Sequence, residues 1–157
     1  MKMIALSLIA FLAYESAQPV SIKYYSSNID DKIIVNALEN WQLKGVNYVR
    51  VETPEEANLI LVKTKKLTDA KRYGESNCRE IRINSKYKFS DKGLTNLISH
   101  EFGHYLFKDH NNDALSIMND KTSLLVKRVT EQDREVPFVK LRVLAEKLLG
   151  NIYQYSS

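Results

Sequence analysis

The stretch that decides the fold is HEFGHYLFKDH at residues 100–110, and it contains all three histidines of the chain. Residues four apart on a helix are rotated by about 40° and lie about 6 Å apart along the axis, so His100 and His104 can point at one metal ion. A catalytic zinc takes three protein ligands and keeps one position open. His110 can be the third ligand if the helix ends soon after His104 and the polar residues that follow turn the chain back. The spacing therefore predicts one zinc ion held by three histidines.

Glu101 directly follows the first of these histidines. A carboxylate in that place can accept a proton from a zinc-activated water as the water attacks a carbonyl carbon. A lone His-Glu-x-x-His pattern also occurs in helices that bind no metal, so an ordinary amphipathic core helix is an alternative interpretation. The third histidine in register favours zinc binding, with Glu101 as the general base.

The histidine pattern at 100–110 resembles the metzincin signature, and Ser-Ile-Met at 116–118 resembles the Met-turn of that clan. The resemblance implies an α+β, zincin-like single domain with a small mixed twisted sheet, a helix packed on it, an active-site zinc helix, the Met-turn and a C-terminal helix. It also implies a zinc metalloendopeptidase that hydrolyses peptide bonds in a protein or peptide substrate. Met118 is then expected to shape the floor of the site without binding zinc.

A weaker likeness to the matrixin-like branch of the metzincins extends over residues 20–150. It rests on a helix that contains Trp41, on strands at 57–60 and 81–84, and on the start of a final helix at 129–133.

The sequence departs from the family pattern at two positions near the histidines. Phe107 stands where the signature usually has a glycine that lets the backbone turn sharply between the second and third histidines. Asp120 stands where astacin-like and serralysin-like members have a tyrosine able to reach the metal. The sequence contains no recognisable cysteine-switch propeptide and no obvious calcium or structural-zinc loop.

Hydrophobic periodicity predicts the other elements. Strands are expected at 21–25, 48–51, 57–62 and 79–83, and helices at 30–43, from about 91 to 106, and from 130 towards 149. Ser90 or Asp91 can cap the second helix, and residues 130–133 resemble a capping box with Asp in place of Glu or Gln. The third strand is nearly continuously apolar, which predicts a central place in the sheet. The fourth strand is expected at the sheet edge, where an extended substrate can pair with it. Residues 63–79 show no sustained periodicity and are predicted to form a long loop.

Charge and cysteine content bear on which partners and cross-links the chain can have. It has 23 Lys and Arg against 19 Asp and Glu, a net charge of +4, and the basic residues are scattered among acidic ones, so no nucleic-acid partner is expected. Cys78 is the one cysteine, which excludes an intramolecular disulfide and a thiolate zinc cage and favours an incidental thiol.

The first 14 residues contain one early lysine followed by an apolar run too short to span a bilayer comfortably. Residues 1–17 are therefore predicted to be a signal peptide or an N-terminal anchor, and residues 18–157 the metzincin-like catalytic domain. The expected protein is a secreted or extracytoplasmic monomer, with no stable membrane span unless the N-terminal segment is retained.

Two further alternatives stay open. A gluzincin-type peptidase would use a downstream carboxylate, Glu131 or Glu135, as the third ligand, although this leaves His110 unexplained. A secreted binding or effector module would keep zinc without turnover, although Glu101 is not needed in a structural zinc site.

Overall fold

The computed structural model describes residues 20–77, 79–106, 109–121, 123 and 125–134. Most of them belong to one compact unit formed by Ile22–Leu43 and Tyr48–Glu135. The second unit includes Lys44–Asn47 and the start of the first strand. The predicted signal or anchor at 1–17, Cys78, Phe107 and the part of the predicted final helix beyond residue 134 lie outside the described residues.

Five strands and three α-helices occur in the described ranges. The strands are β1 (Val20–Ser26), β2 (Val46–Arg50), β3 (Leu59–Thr64), β4 (Gly74–Ser76) and β5 (Glu80–Asn84). The helices are α1 (Asp31–Glu39), α2 (Asp91–Tyr105) and α3 (Glu131–Arg134), and a short 3-10 helix covers Pro54–Glu56. None of the helices in this part of the chain is long and apolar enough to cross a membrane.

The strands form one mixed sheet in the order β2-β1-β3-β5-β4. Strands β1, β3 and β5 are parallel, whereas β4 runs antiparallel to β5. Leu59 and Leu61 of β3 are fully buried, and the predicted central place of this strand is confirmed.

The prediction that the segment at 79–83 is an edge strand is wrong. The segment at 79–83 forms β5, which lies between two other strands, and the edge strand is β4. β4 lies within residues 63–79, which were predicted to be one long loop. A strand of three residues is too short to show an alternating pattern, so periodicity could not reveal it.

Helix α1 begins at an aspartate cap, because the Asp30 side chain accepts a hydrogen bond from the Lys32 backbone N–H at 2.9 Å. The helix ends at Glu39, four residues before the predicted end, and Gln42 has a left-handed backbone with φ 49°. Trp41 is therefore beyond the helix, where its indole N–H donates to the Ser99 carbonyl oxygen at 3.0 Å. This bond ties the end of α1 to α2.

The helix predicted from about 91 to 106 is confirmed as α2, with Ser90 as its N-cap. The Ser90 hydroxyl oxygen accepts from the Gly93 N–H at 3.2 Å. The helix ends at Tyr105, and the Leu106 N–H closes the last turn on the Phe102 carbonyl oxygen at 2.9 Å. Ending there leaves the chain free to change direction before His110, as the ligand spacing requires.

The predicted start of the final helix is also confirmed, at α3. The Asp133 N–H donates to the Thr130 hydroxyl at 3.2 Å, and the Thr130 N–H donates to the Asp133 carboxylate at 2.9 Å. This reciprocal pair is a capping box in which Asp replaces the usual Glu or Gln.

Candidate metal centre

Three imidazole nitrogens converge at the C-terminal end of α2. The Nε2 atom of His104 is 3.2 Å from that of His100 and 3.1 Å from that of His110, and the last two are 3.3 Å apart. Tetrahedral zinc with bonds of about 2.0–2.1 Å places its ligand nitrogens about 3.3–3.4 Å apart. The three histidines fit a single metal ion. Within the described part of the chain, they form the one cluster of possible ligands that could hold a metal.

A backbone carbonyl orients His100. The Nδ1 atom lies 2.6 Å from the Ile117 carbonyl oxygen, which can only accept, so Nδ1 carries the proton and the Nε2 lone pair faces the other histidines. Burial lowers the pKa of His100 to about 4, although the bond to Ile117 acts in the opposite direction, and nearby cationic side chains lower it further. The imidazole is therefore neutral near pH 7, the form that binds metals.

His110 has an acidic neighbour on its far side. Its Nδ1 atom lies 3.7 Å from a carboxylate oxygen of Asp120, and both side chains are about half exposed. A carboxylate on the outer nitrogen of a ligand histidine fixes the ring orientation and raises its basicity. The residue that stands where astacin-like and serralysin-like proteins have a tyrosine is thus next to the third histidine.

A buried carboxylate holds the loop that carries His110. Asp133 is 1% exposed and accepts from the Ser116 hydroxyl at 2.7 Å and from the Asn111 side-chain amide at 3.1 Å. Asn111 follows His110 in the chain, and Ser116 begins the predicted Met-turn. Helix α3 is therefore hydrogen-bonded to both segments, and Asp133 holds them together.

Met118 packs against α2 at Gly103. It is 1% exposed, and a Cβ atom built on Gly103 would overlap its sulfur and would lie 2.8 Å from Cζ2 of Trp41. Only glycine at position 103 leaves room for both side chains. Met118 therefore packs against the helix that carries His100 and His104, and its role as a support for the histidines stays a prediction.

Glu101 faces the edge strand. It is 5% exposed, and a Cβ atom built on Gly74 of β4 would lie 2.9 Å from its Oε1 atom. Burial raises the pKa of Glu101 to about 7, while the Arg72 guanidinium lowers it and Glu75 adds to the rise. The carboxyl group can therefore both accept and release a proton near neutral pH.

The histidines and Glu101 line a cleft of about 1050 Å³. One wall consists of β4 and an aromatic cluster (Tyr73, Tyr87 and Phe89), in which the rings of the first two are 4.6 Å apart. Leu125, Lys127 and residues of α2 also line the cleft. The cleft is large enough for an extended peptide segment.

Comparison with known proteins defines the fold class. Neither a protein-family model nor a curated protein sequence matches the chain. Among solved structures, the chain is similar to zinc peptidases of the metzincin kind, at a distance that shows the fold alone.

Two archaeal proteins carry this likeness. Archaemetzincin from Methanopyrus kandleri is 17% identical, with a TM-score of 0.52, and the match covers 80% of this chain and 96% of that one. Archaemetzincin from Archaeoglobus fulgidus is 11% identical, with a TM-score of 0.50, and the match covers 70% of this chain and 94% of that one.

The gluzincin alternative has no support among the described residues. Glu131 is exposed and is not a member of the group that could hold a metal, and Glu135 lies outside the described residues. Sequence analysis missed three contributors to the site: Gly74, Asp133 and Lys127. Asp133 was recognised only as part of a capping box, and no sequence pattern reveals that any of the three contributes to the site.

Proposed function

We propose that this chain is a zinc-dependent metalloendopeptidase of the metzincin type. In this proposal His100, His104 and His110 hold one zinc ion, Glu101 is the general base, and Met118 supports the histidines from below. The observation that carries the proposal is the convergence of three imidazole nitrogens beside a buried glutamate, in a cleft bordered by an edge strand.

The donor set favours zinc. Three imidazole nitrogens without a thiolate or carboxylate are the ligand set of several catalytic zinc sites, and they leave the charge of the ion uncompensated. When bound, zinc supplies a Lewis acid that polarises a carbonyl group and lowers the pKa of water at the site to about 7.

Glu101 has the properties that a general base requires. Its raised pKa of about 7 lets the carboxylate accept a proton and later deliver it to a leaving amine at the same pH. Gly74 brings the backbone of β4 against this carboxylate. The reacting proton and the edge strand are therefore on the same side of the cleft.

Strand β4 offers the place for an extended substrate. It is the last strand in the sheet order, so within the described structure its outer edge has no neighbouring strand. An extended peptide can add to such an edge by main-chain hydrogen bonds, which bind without demanding a particular sequence. This arrangement replaces the earlier expectation that the segment at 79–83 binds the substrate.

The finer parts of the proposal rest on sequence. The matrixin-like branch is supported by the residues that resemble it between 20 and 150, and export is supported by the apolar run within residues 1–14. We also retain the expectations of a monomer and of a protein or peptide substrate.

The general-base role is tested by Glu101→Gln, which keeps the side-chain volume and removes the proton acceptor. The expected result is one zinc per chain, as in the native protein, with kcat/KM for peptide cleavage lowered by about 10²–10⁴-fold. Glu56→Gln, at an exposed glutamate outside the cleft, is the matched control and should cleave like the native chain. Undiminished cleavage by the Glu101 variant would refute the mechanism.

The remaining alternative is a zinc-containing binding module without turnover. It predicts that native protein with a full complement of zinc cleaves no member of a peptide library. Cleavage by the native protein that disappears in Glu101→Gln would exclude this alternative. A contaminating peptidase would cleave equally in both preparations, so the loss assigns the activity to this chain.

A further inference from the structure

We propose that the cleft selects substrates with an acidic side chain near the scissile bond, and that the Lys127 ammonium is the group that recognises this side chain. The inference rests on the proposed peptidase function and names its substrate class.

Lys127 is a buried cation that lines the cleft. The residue is only 6% exposed, and its ammonium donates a hydrogen bond to the carbonyl oxygen of Asn119. Among the ion pairs of the described residues, none includes Lys127. A buried charge that forms no ion pair is costly unless a ligand supplies the opposite charge. The ammonium has three donors, and the Asn119 carbonyl satisfies one of them.

The backbone holds Lys127 in a fixed position. Its carbonyl oxygen accepts from the Asn96 side-chain amide of α2 at 3.1 Å. The next residue, Arg128, donates its N–H to the Leu115 carbonyl oxygen at 2.9 Å. The lysine is therefore anchored to the zinc helix on one side and to the start of the Met-turn on the other. Such anchoring lets a side chain recognise a ligand without first paying the cost of ordering.

Lys127 also lies in the same cleft as the proposed reacting groups. It lines this cleft together with His100, Glu101 and Asp120. The carboxylate of a bound side chain beside Lys127 would thus be near the histidines. The recognised residue should therefore be adjacent to the bond that is cut.

The surrounding surface suits the stem of an acidic side chain. Leu97 is buried and lines the same cleft, and Leu125, which is 51% exposed, also lines it. The methylene groups of a glutamate can contact these leucines while its carboxylate meets the ammonium. Lys71 and Lys88 also line the cleft but are exposed, so water and salt screen their charges.

The test uses full-length protein with one zinc per chain and pairs of fluorogenic peptides that differ only in Glu or Gln next to the scissile bond. A peptide library first locates that bond. The native protein should cleave the Glu peptide with a kcat/KM about tenfold or more above that of the Gln peptide, which is the effect of one buried charge-assisted hydrogen bond. In Lys127→Met the ratio should fall to about one, while cleavage of the Gln peptide stays within a few-fold of native.

Lys88→Met is the matched control, because it removes an exposed lysine from the same cleft and should leave the Glu-to-Gln ratio nearly unchanged. Lys127→Gln gives the same readout if the methionine variant fails to fold, since it keeps a donor for the Asn119 carbonyl without the charge. Thermal unfolding and zinc content verify each variant.

The outcomes separate this inference from the proposed function. Zinc-loaded native protein that cleaves no library peptide would contradict the peptidase proposal itself. Cleavage with a Glu-to-Gln ratio of about one would overturn only the role of Lys127. A native preference for Glu that persists in the Lys127 variants and disappears in Lys88→Met would likewise overturn it.

Discussion

The substitution Gly74→Ala tests the contact between the edge strand and the general base. A Cβ atom at this position would lie 2.9 Å from Oε1 and 3.2 Å from Cγ of Glu101, and 3.3 Å from the Arg82 carbonyl oxygen. Gly74 does not have a positive φ, so alanine is conformationally allowed and its effect comes from the contact alone. The Arg82 carbonyl belongs to the backbone of β5 and cannot rotate away. The Glu101 side chain must therefore move.

The size of this movement sets the expected loss of activity. Ordinary contacts begin at 3.4 Å, so Oε1 must shift by about half an ångström from its 2.9 Å separation. Because a displacement of about 1 Å in a catalytic group can lower the rate about 10²-fold, we expect kcat/KM to fall roughly 10- to 100-fold. Zinc content should not change, since the atoms nearest to the added Cβ belong to Glu101 and Arg82 and not to a histidine.

The assay measures kcat/KM on a fluorogenic peptide together with zinc per chain by elemental analysis. Gly93→Ala is the matched control: it is also a glycine that lines the cleft, but its Cβ would meet only Ser90 Oγ at 3.3 Å and Leu125 at 3.9 Å. This variant should keep activity within a few-fold of native. Unchanged activity in Gly74→Ala, or a loss of zinc, would show that the strand does not position the base.

Two further substitutions test the support of the histidines. Gly103→Ala should lower the free energy of unfolding by about 1–3 kcal/mol or more, measured by urea denaturation, because its Cβ overlaps the Met118 sulfur; a neutral effect would mean that Met118 is not packed there. Asp133→Ala should cost about 2–5 kcal/mol and weaken zinc retention in chelator competition, because it leaves buried donors on Ser116 and Asn111 unpaired and removes the cap of α3. Asp109→Ala, at an exposed aspartate, is the control and should retain zinc like the native protein. Equal zinc retention by both variants would show that Asp133 does not support the histidines.

The local parts of the fold could be predicted from the sequence. Helix α2, its cap at Ser90 and the Thr130–Asp133 box are encoded in spacings of a few residues, and each is confirmed. The central place of β3 follows from its apolar run. The convergence of the three histidines also follows from spacing, because two lie on one turn of a helix and the third follows the helix end. Their role as zinc ligands stays a prediction.

The remaining features depend on contacts between distant parts of the chain. Strand β4 is too short to show an alternating pattern. It contributes to the site because Gly74 lies against Glu101, a residue 27 positions later in the chain. Asp133 caps its own helix, which sequence reveals, but its bond to Ser116 requires the folded arrangement. Lys127 is one of many lysines in the sequence. Only burial in the cleft distinguishes it.

The central claim is that three histidines hold one zinc ion, and zinc content of His110→Ala tests it most directly. The native protein, purified without chelators and dialysed against metal-free buffer, should contain one zinc per chain. The variant keeps only two ligands and should retain roughly a tenth of that or less after the same treatment. Native protein without zinc, or a variant that retains a full equivalent, would contradict the account.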